Sequence, residues 1–265
     1  MLLFAAMAKS KILITGGAGF IGSNLADRLL EAGSSVVCYD NFDSFYSRSV
    51  KEKNISQALK SASYKLVEGD LLDPEKLVST IVDNEIDTIV HLAAKAGVRP
   101  SIQDPGAYFK TNLEGTLNVL NAMNRSGVKK LVFASSSSIY GNNEKIPYSE
   151  SDRVDNPISP YAASKKSAEL LTYTFHHMYK INVVNLRFFT VFGPRQRPDL
   201  AIHKFFHSIY KGMPIDFYGD GTTSRDYTYI DDITTGIISA MNHLNSGENI
   251  YETINLGNNS PVTLS

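Results

Sequence analysis

The sequence predicts an α/β protein built on a doubly wound parallel sheet, and three observations predict it. Short, almost continuously apolar β-branched runs alternate with stretches of helical period as far as Phe189, the pattern of strands covered on both faces by helices. A glycine string, Gly16-Gly17-Ala18-Gly19-Phe20-Ile21-Gly22, joins the first such run to the first helical stretch. After Phe189 the rhythm breaks into polar, turn-rich segments carrying several arginines, residues 193–200 and 219–226. That composition marks a smaller lobe built to touch a charged ligand.

In order, residues 11–15 (KILIT) form the first strand and residues 20–32 an amphipathic helix stopped by Gly33. Residues 35–40 and 64–70 are the next strands, separated by a polar insertion with a helix near 50–61. Asp73-Pro74 opens a helix, with Asp as cap and Pro at the first helical position. Residues 88–93 are the fourth strand. Asp104-Pro105 opens a helix running to about Ser126, where Gly127 stops it. Residues 130–136 are the fifth strand, a long helix covers about 159–180, and residues 182–188 are the sixth strand. Beyond it the pattern predicts a helix near 201–212, a short strand near 215–218, a helix near 233–244 capped by Asp232, and a strand at 253–257.

Composition narrows the function. The chain has 265 residues, 43% hydrophobic and 20% charged, enough for one large domain or two small ones. With 26 Lys+Arg against 27 Asp+Glu, the net charge of -1 argues against a nucleic-acid partner. A single cysteine, Cys38, excludes an internal disulfide and any multi-cysteine metal site; in mid-strand it reads as a small buried hydrophobe. His176-His177 has no matching acidic cluster, so no metal is expected. No apolar run reaches the roughly 18 residues a membrane span needs. Residues 1–8 (MLLFAAMA) are apolar but short and lack a basic region, so they read as an extension before an alternative start at Met7. A cytoplasmic protein with no membrane partner is the expectation.

The glycine string satisfies both Gly17-x-Gly19-x-x-Gly22 and Gly16-x-x-Gly19-x-x-Gly22. Residues without a side chain allow a tight turn and let the backbone approach a pyrophosphate, while the helix N-terminus offers free N–H groups to the anion. Its place between a strand and a helix selects this over a mere glycine-rich turn. Asp40 ends the second strand, where a carboxylate accepts the ribose hydroxyls of NAD and repels the extra phosphate of NADP; the alternative is a turn aspartate. Asp70 ends the third strand and reads equally as an adenine contact or a turn residue.

Tyr161 and Lys165 stand one helical turn apart on one face, at the start of the helix between the fifth and sixth strands. The strand before them ends in Ser135-Ser136-Ser137-Ser138, and in a parallel sheet such carboxyl ends line the ligand crevice. A nearby ammonium and a cationic nicotinamide would both favour ionisation of the Tyr161 phenol, making it a base near neutral pH. A core tyrosine beside an exposed lysine is the plainer alternative. His91, in the fourth strand, reads as a hydrogen-bonded core or crevice residue and not a base.

Taken together, TGGAGFIG (15–22), GDLLD (69–73), HLAAKAGVRPS (91–101), TNLEGTLNVL (111–120), SSSSIYG (135–141), YAASK (161–165), RFFTVFGPRQRPD (187–199) and YGDGTTSRDYTYIDDI (218–233) resemble the extended short-chain dehydrogenase/reductase family. Within it they resemble the nucleotide-sugar epimerases and dehydratases. The last two motifs look most like those of UDP-glucuronate 4-epimerases. The resemblance implies a Rossmann-like fold holding NAD tightly, with Gly16, Gly19, Phe20, Ile21, Gly22, Asp40, Asp70, Leu71, Ala93 and Lys165 at the cofactor. It implies Tyr161 as base, Lys165 as its partner and Ser136 as the active-site hydroxyl, with Ser137 or Ser138 as alternative proton-sharing groups. Dehydratase relatives carry an Asp-Glu pair at 137–138, and decarboxylating relatives keep a Glu at the second position. Serine at both leaves epimerisation.

For the UDP-sugar the resemblance implies Thr190 and Arg197, the arginine facing either a substrate carboxylate or the diphosphate. Arg99 and Arg225 are further anion-contact candidates, with a surface role as the alternative. The resemblance also implies a homodimer formed through the helices at about 105–126 and 159–180. It implies residues 9–188 and about 226–257 as the NAD-binding domain, with about 189–225 and 258–265 as the substrate lobe. Where the chain ends, relatives begin another helix and carry several tens of further residues, so that lobe is expected to be C-terminally incomplete. Two other readings stand beside the uronate epimerase: an epimerase of neutral UDP-hexoses, and a non-catalytic dinucleotide-binding protein.

Overall fold

A computed structural model describes residues 10–215 and 220–264 of the chain. The extension 1–8 and all but the first residue of the predicted strand 215–218 lie outside them; Ile215 carries no regular structure. Strand β1 is Lys11–Thr15, helix α1 Phe20–Glu31, β2 Ser35–Asp40, α2 Arg48–Ile55, β3 Tyr64–Glu68, α3 Pro74–Asp83 and β4 Thr88–His91. Then come α4 Val98–Gln103, α5 Pro105–Phe109, α6 Gly115–Ser126, β5 Lys130–Ser136, α7 Pro160–Tyr179 and β6 Asn182–Phe188. The remainder is β7 Thr190–Phe192, α8 Ala201–Tyr210, β8 Ser224–Tyr229, α9 Ile230–Leu244, β9 Tyr251–Leu256 and β10 Pro261–Thr263.

Seven strands form one parallel sheet in the order β3-β2-β1-β4-β5-β6-β9, the doubly wound α/β architecture that the sequence predicts. Strand periodicity sends alternate side chains to opposite faces. Ile12, Ile14, Val36 and Val132 therefore pack under α1 and α9, while Leu13, Val37, Leu131 and Phe133 pack under α3, α6 and α7. All seven residues of β6 are buried, Asn182, Asn185 and Arg187 among them, because helices cover both faces of the strand. Each fully buried aliphatic side chain contributes about 1.5–3 kcal/mol. The direction of winding reverses between β1 and β4, and open sheets of this kind place their ligand crevice there.

Caps set the helix starts. Asp73 accepts from Lys76 N–H at 3.1 Å, Asp104 from Ala107 N–H at 3.1 Å and Ser159 from Ala162 N–H at 3.1 Å, each with proline just inside the helix. The helix expected to run from Asp104 to Ser126 is not uniform: a π-type turn over Lys110–Glu114 separates α5 from α6. The wider turn brings Asn112 inward, where its side chain brackets the backbone N–H and C=O of Lys95 at 2.8 and 2.9 Å.

Three features depart from the sequence reading. The helix α4 was not foreseen. The last helix begins at Ile230, so Asp232 is not its cap: Tyr229 holds that position, and Asp231 and Asp232 lie in the first turn, favourably placed against the helix dipole. The strands β10-β8-β7 form a second, three-stranded sheet, in which Pro261–Thr263 runs antiparallel to Ser224–Asp226. No helix among the described residues is long and apolar enough to cross a membrane.

Candidate active site

The carboxyl ends of the central strands open into a cavity of about 640 Å³. At one end lies the glycine turn. Gly16 sits at φ +70°, and a Cβ there would stand 2.8 Å from the Ala93 Cα. A Cβ on Gly22 would stand 2.5 Å from the Gly16 carbonyl oxygen, so strand and helix meet at a distance only glycine permits. Gly19 caps α1 without any side-chain hydrogen bond, and the first turn holds no acidic residue. The N–H groups of Phe20, Ile21 and Gly22 thus have no partner within the helix and stand in the cavity wall. This is a ready anion cradle.

Asp40 is 7% exposed at the end of β2. Its carboxylate accepts from Ala18 N–H at 3.1 Å and Phe42 N–H at 2.8 Å, with the Lys51 ammonium 3.9 Å away. It thereby ties the glycine turn to the loop after β2 while still facing the cavity. Asp70 accepts from Leu72 N–H at 2.9 Å and from the Asn41 amide at 2.9 Å. Leu71 and Ala93 complete this end of the wall.

At the other end stand Tyr161, Lys165 and Ser136. Lys165 is 4% exposed and donates to the Ala134 carbonyl at 2.7 Å, with the Phe133 ring 5.0 Å below. Burial pulls its ammonium down from the usual lysine value of 10.5 to about 8, opposed by the charge of Glu169. Burial likewise pushes the Tyr161 phenol up, opposed by its hydrogen bond with Ser136 and by Arg197. Among the protein's own groups burial outweighs both. The Tyr108 ring meets Tyr161 edge-on, centroids 6.2 Å apart. His91 is a polar core residue as read, bonded to Thr15 at 2.6 Å and Thr116 at 3.1 Å and held neutral by burial that lowers it to about 3. Cys38 is buried, its thiol pushed up to about 12.

Thr190 and Arg197 line the cavity. The Arg197 guanidinium is already paired with Asp199, two residues on, at 2.9 and 2.6 Å, and lies 5.2 Å over the Phe45 ring. Ser137 and Ser138 sit in the turn after β5, outside the cavity walls, and Ser138 N–H donates to Ser136 Oγ at 3.2 Å. Arg99, on α4, and Arg225, on β8, are exposed and also stand outside those walls; Arg225 donates to the neighbouring Ser224 carbonyl at 2.8 Å.

Sequence reasoning missed the ion pair between Asp43 and Lys95, 3.1 Å across the cavity mouth, and the aromatic wall of Phe45, Tyr46 and Tyr108. Lys95 lies inside the quoted HLAAKAG segment and was open to suspicion. Nothing in the order of residues joins Asp43 to it. No group of three or more His, Cys, Asp or Glu among the described residues is placed to hold a metal.

The profile of the NAD dependent epimerase/dehydratase family matches residues 12–257. A UDP-glucuronate 4-epimerase of Thermodesulfobacterium geofontis is 44% identical over 95% of this chain and 76% of its own. The crystal structure of UDP-glucuronic acid 4-epimerase from Bacillus cereus, in complex with UDP-glucuronic acid and NAD, superposes with a TM-score of 0.88 at 37% identity. It is matched over 96% of this chain and 79% of that one. A UDP-N-acetylglucosamine 4-epimerase from Methanobrevibacter ruminantium, in complex with UDP-N-acetylmuramic acid, gives 0.87 at 34% identity over 97% and 79%.

Proposed function

The chain belongs to the NAD dependent epimerase/dehydratase family, and from that premise we propose that it is a UDP-glucuronate 4-epimerase, interconverting UDP-glucuronate and UDP-galacturonate. One observation carries the reading. A single cavity runs from a helix N-terminus with no side-chain cap to a Tyr161–Ser136–Lys165 cluster, and Thr190 and Arg197 stand in its walls. The cradle at Gly16, Gly19, Phe20, Ile21 and Gly22 suits a diphosphate, Asp40 and Asp70 suit an adenosine, and Lys165 suits the second ribose. NAD, when bound there, supplies the hydride acceptor and donor and a positive ring charge beside the phenol.

Tyr161 takes the proton from the sugar's C4 hydroxyl and gives one back to the C4 oxygen on the opposite face, with Ser136 sharing it. Lys165, an ammonium at neutral pH, lends positive charge to that step. The sugar turns about its link to the diphosphate between the two transfers. Serine at 137 and 138 provides no acid–base pair for elimination. Arg197 addresses the substrate carboxylate once Asp199 releases it. Residues 9–188 and about 226–257 are read as the NAD-binding domain, the rest as the substrate lobe. A cytoplasmic homodimer packed through α5, α6 and α7 fits the reading: Phe109 on α5 and Leu170, Tyr173 and Met178 on α7 are exposed.

Proton NMR of the protein with UDP-glucuronate and UDP-glucose together in heavy water tests it. UDP-galacturonate alone, with no deuterium at C4, is the expected result, and Tyr161→Phe should abolish it. UDP-galactose alone would transfer the reading to neutral UDP-hexoses. Deuterium at C4 would overturn the mechanism.

A further inference from the structure

One turn beyond Lys165, a fully enclosed charge network lies behind the cavity and has no part in the reaction as described. Glu169 and Arg187 are each 3% exposed. The Glu169 carboxylate takes both forks of Arg187, at 3.1 and 3.0 Å, and the Ser135 hydroxyl at 2.6 Å. Arg187 donates on to the Tyr140 hydroxyl at 2.9 Å, which donates to Asn255 at 2.7 Å. The network so joins α7, β5, β6, the turn after β5 and β9.

It continues the face of the cavity cluster. Tyr161, Lys165 and Glu169 follow at intervals of four along one face of α7. Against the last two stand successive residues of β5: Lys165 donates to the Ala134 carbonyl, and Glu169 accepts from the Ser135 hydroxyl. Ser135 lies beside Arg187 in the β5–β6 pairing, so the same carboxylate grips both strands. Replacing a buried ion pair by apolar side chains is often neutral or stabilising, so stability alone is a poor reason for one here.

We propose that Glu169 is a positioning residue for the reaction: through Ser135 and Arg187 it holds the Tyr161–Lys165 face of α7 against the ends of β5 and β6. It is not a wall of the cavity. The proposal rests on reading Tyr161 and Lys165 as catalytic. The groups around Lys165 agree with it. Tyr161 and Glu169 come from its own helix, the Ala134 carbonyl and Phe133 ring from β5, and neutral His91 from β4. Around Glu169 stand Lys166 at 3.7 Å, Arg187 from β6, and Tyr251 from β9, whose hydroxyl donates to the Glu169 carbonyl. Of these, only the Glu169 charge raises Lys165 against its burial.

The experiment uses the full chain and two readouts: the ionisation of Lys165 followed by ¹³Cε NMR, assigned by its loss in Lys165→Met, and the pH profile of kcat. In Glu169→Gln, and in Glu169→Gln/Arg187→Met, which leaves no orphaned charge, Lys165 should deprotonate at least one pH unit lower. The alkaline limb of kcat should move with it, with KM within twofold. Ser135→Ala keeps the ion pair, so kcat should fall about tenfold with KM within twofold and the limb unmoved. A folded double variant in which Lys165 titrates as in the wild type overturns the proposal, as does a Ser135→Ala protein with wild-type kcat. If neither Glu169 variant folds, Ser135→Ala decides alone. A wild type that turns over no UDP-sugar would refute the functional reading instead, leaving the NMR titration to judge Glu169.

Discussion

Lys165→Met should compare more favourably with the wild type in stability at neutral pH than in alkali, while removing turnover. In the folded chain the Lys165 ammonium deprotonates at about 8, against the usual 10.5. Below pH 8 both folded and unfolded chains hold the proton, and the cost of burying the charge is fully present. Between about 8 and 10.5 unfolding takes up a proton, so this residue makes stability rise with pH. At about 1.4 kcal/mol per pH unit, the interval amounts to about 3 kcal/mol. The subtraction of wild type from Lys165→Met cancels the raised tyrosines, whose shifts act in the opposite direction. Urea unfolding of both proteins at pH 7.0, 8.0, 9.0 and 9.5 gives the measurement. From pH 8 to 9.5 the wild type should gain about 2 kcal/mol on the variant. A difference that stays flat across that interval would refute the reasoning.

Two further predictions follow from distances in the cavity. Gly22→Ala places a Cβ 2.5 Å from the Gly16 carbonyl oxygen, a backbone atom that cannot step aside without opening the turn. NAD affinity measured by calorimetry should fall more than about tenfold and the melting temperature with it; an unchanged Kd would show that the turn does not bear the diphosphate. Asp199→Asn should loosen the hold on Arg197, lowering KM for UDP-glucuronate about threefold or more while leaving UDP-glucose unchanged. Equal shifts for both sugars would place Arg197 against the diphosphate.

How much was legible in the order of residues depended on how local each feature is. Strand and helix periods repeat every two or three to four residues, so the alternation to Phe188 announced the sheet, and Asp73-Pro74, Asp104-Pro105 and Gly127 announced ends. The glycine turn and the Tyr161–Lys165 spacing are likewise complete within one loop and one helical turn. The π-type turn at Lys110–Glu114 left no such mark, because the bonds that favour it run from Asn112 to Lys95 and Ser164. The small sheet was missed for a related reason: β7, β8 and β10 are short, partly exposed strands, and pairing across the fold, not periodicity, makes them strands.

The sequence by itself determined the layers, the succession of strands and helices up to β6 and the chemistry available at the sheet's carboxyl edge, since these follow from short-range patterns. Tertiary structure alone decided which charges meet. It paired Arg197 with Asp199, set Asp43 against Lys95, kept Arg99 and Arg225 out of the cavity walls and enclosed Glu169 with Arg187. Coulomb energy and desolvation depend on distance and burial in space, and neither can be read from separation along a chain. The pull on Lys165 down to about 8 belongs to that second group: a lysine in a YAASK string is ordinary until β5, α7 and β4 close around it.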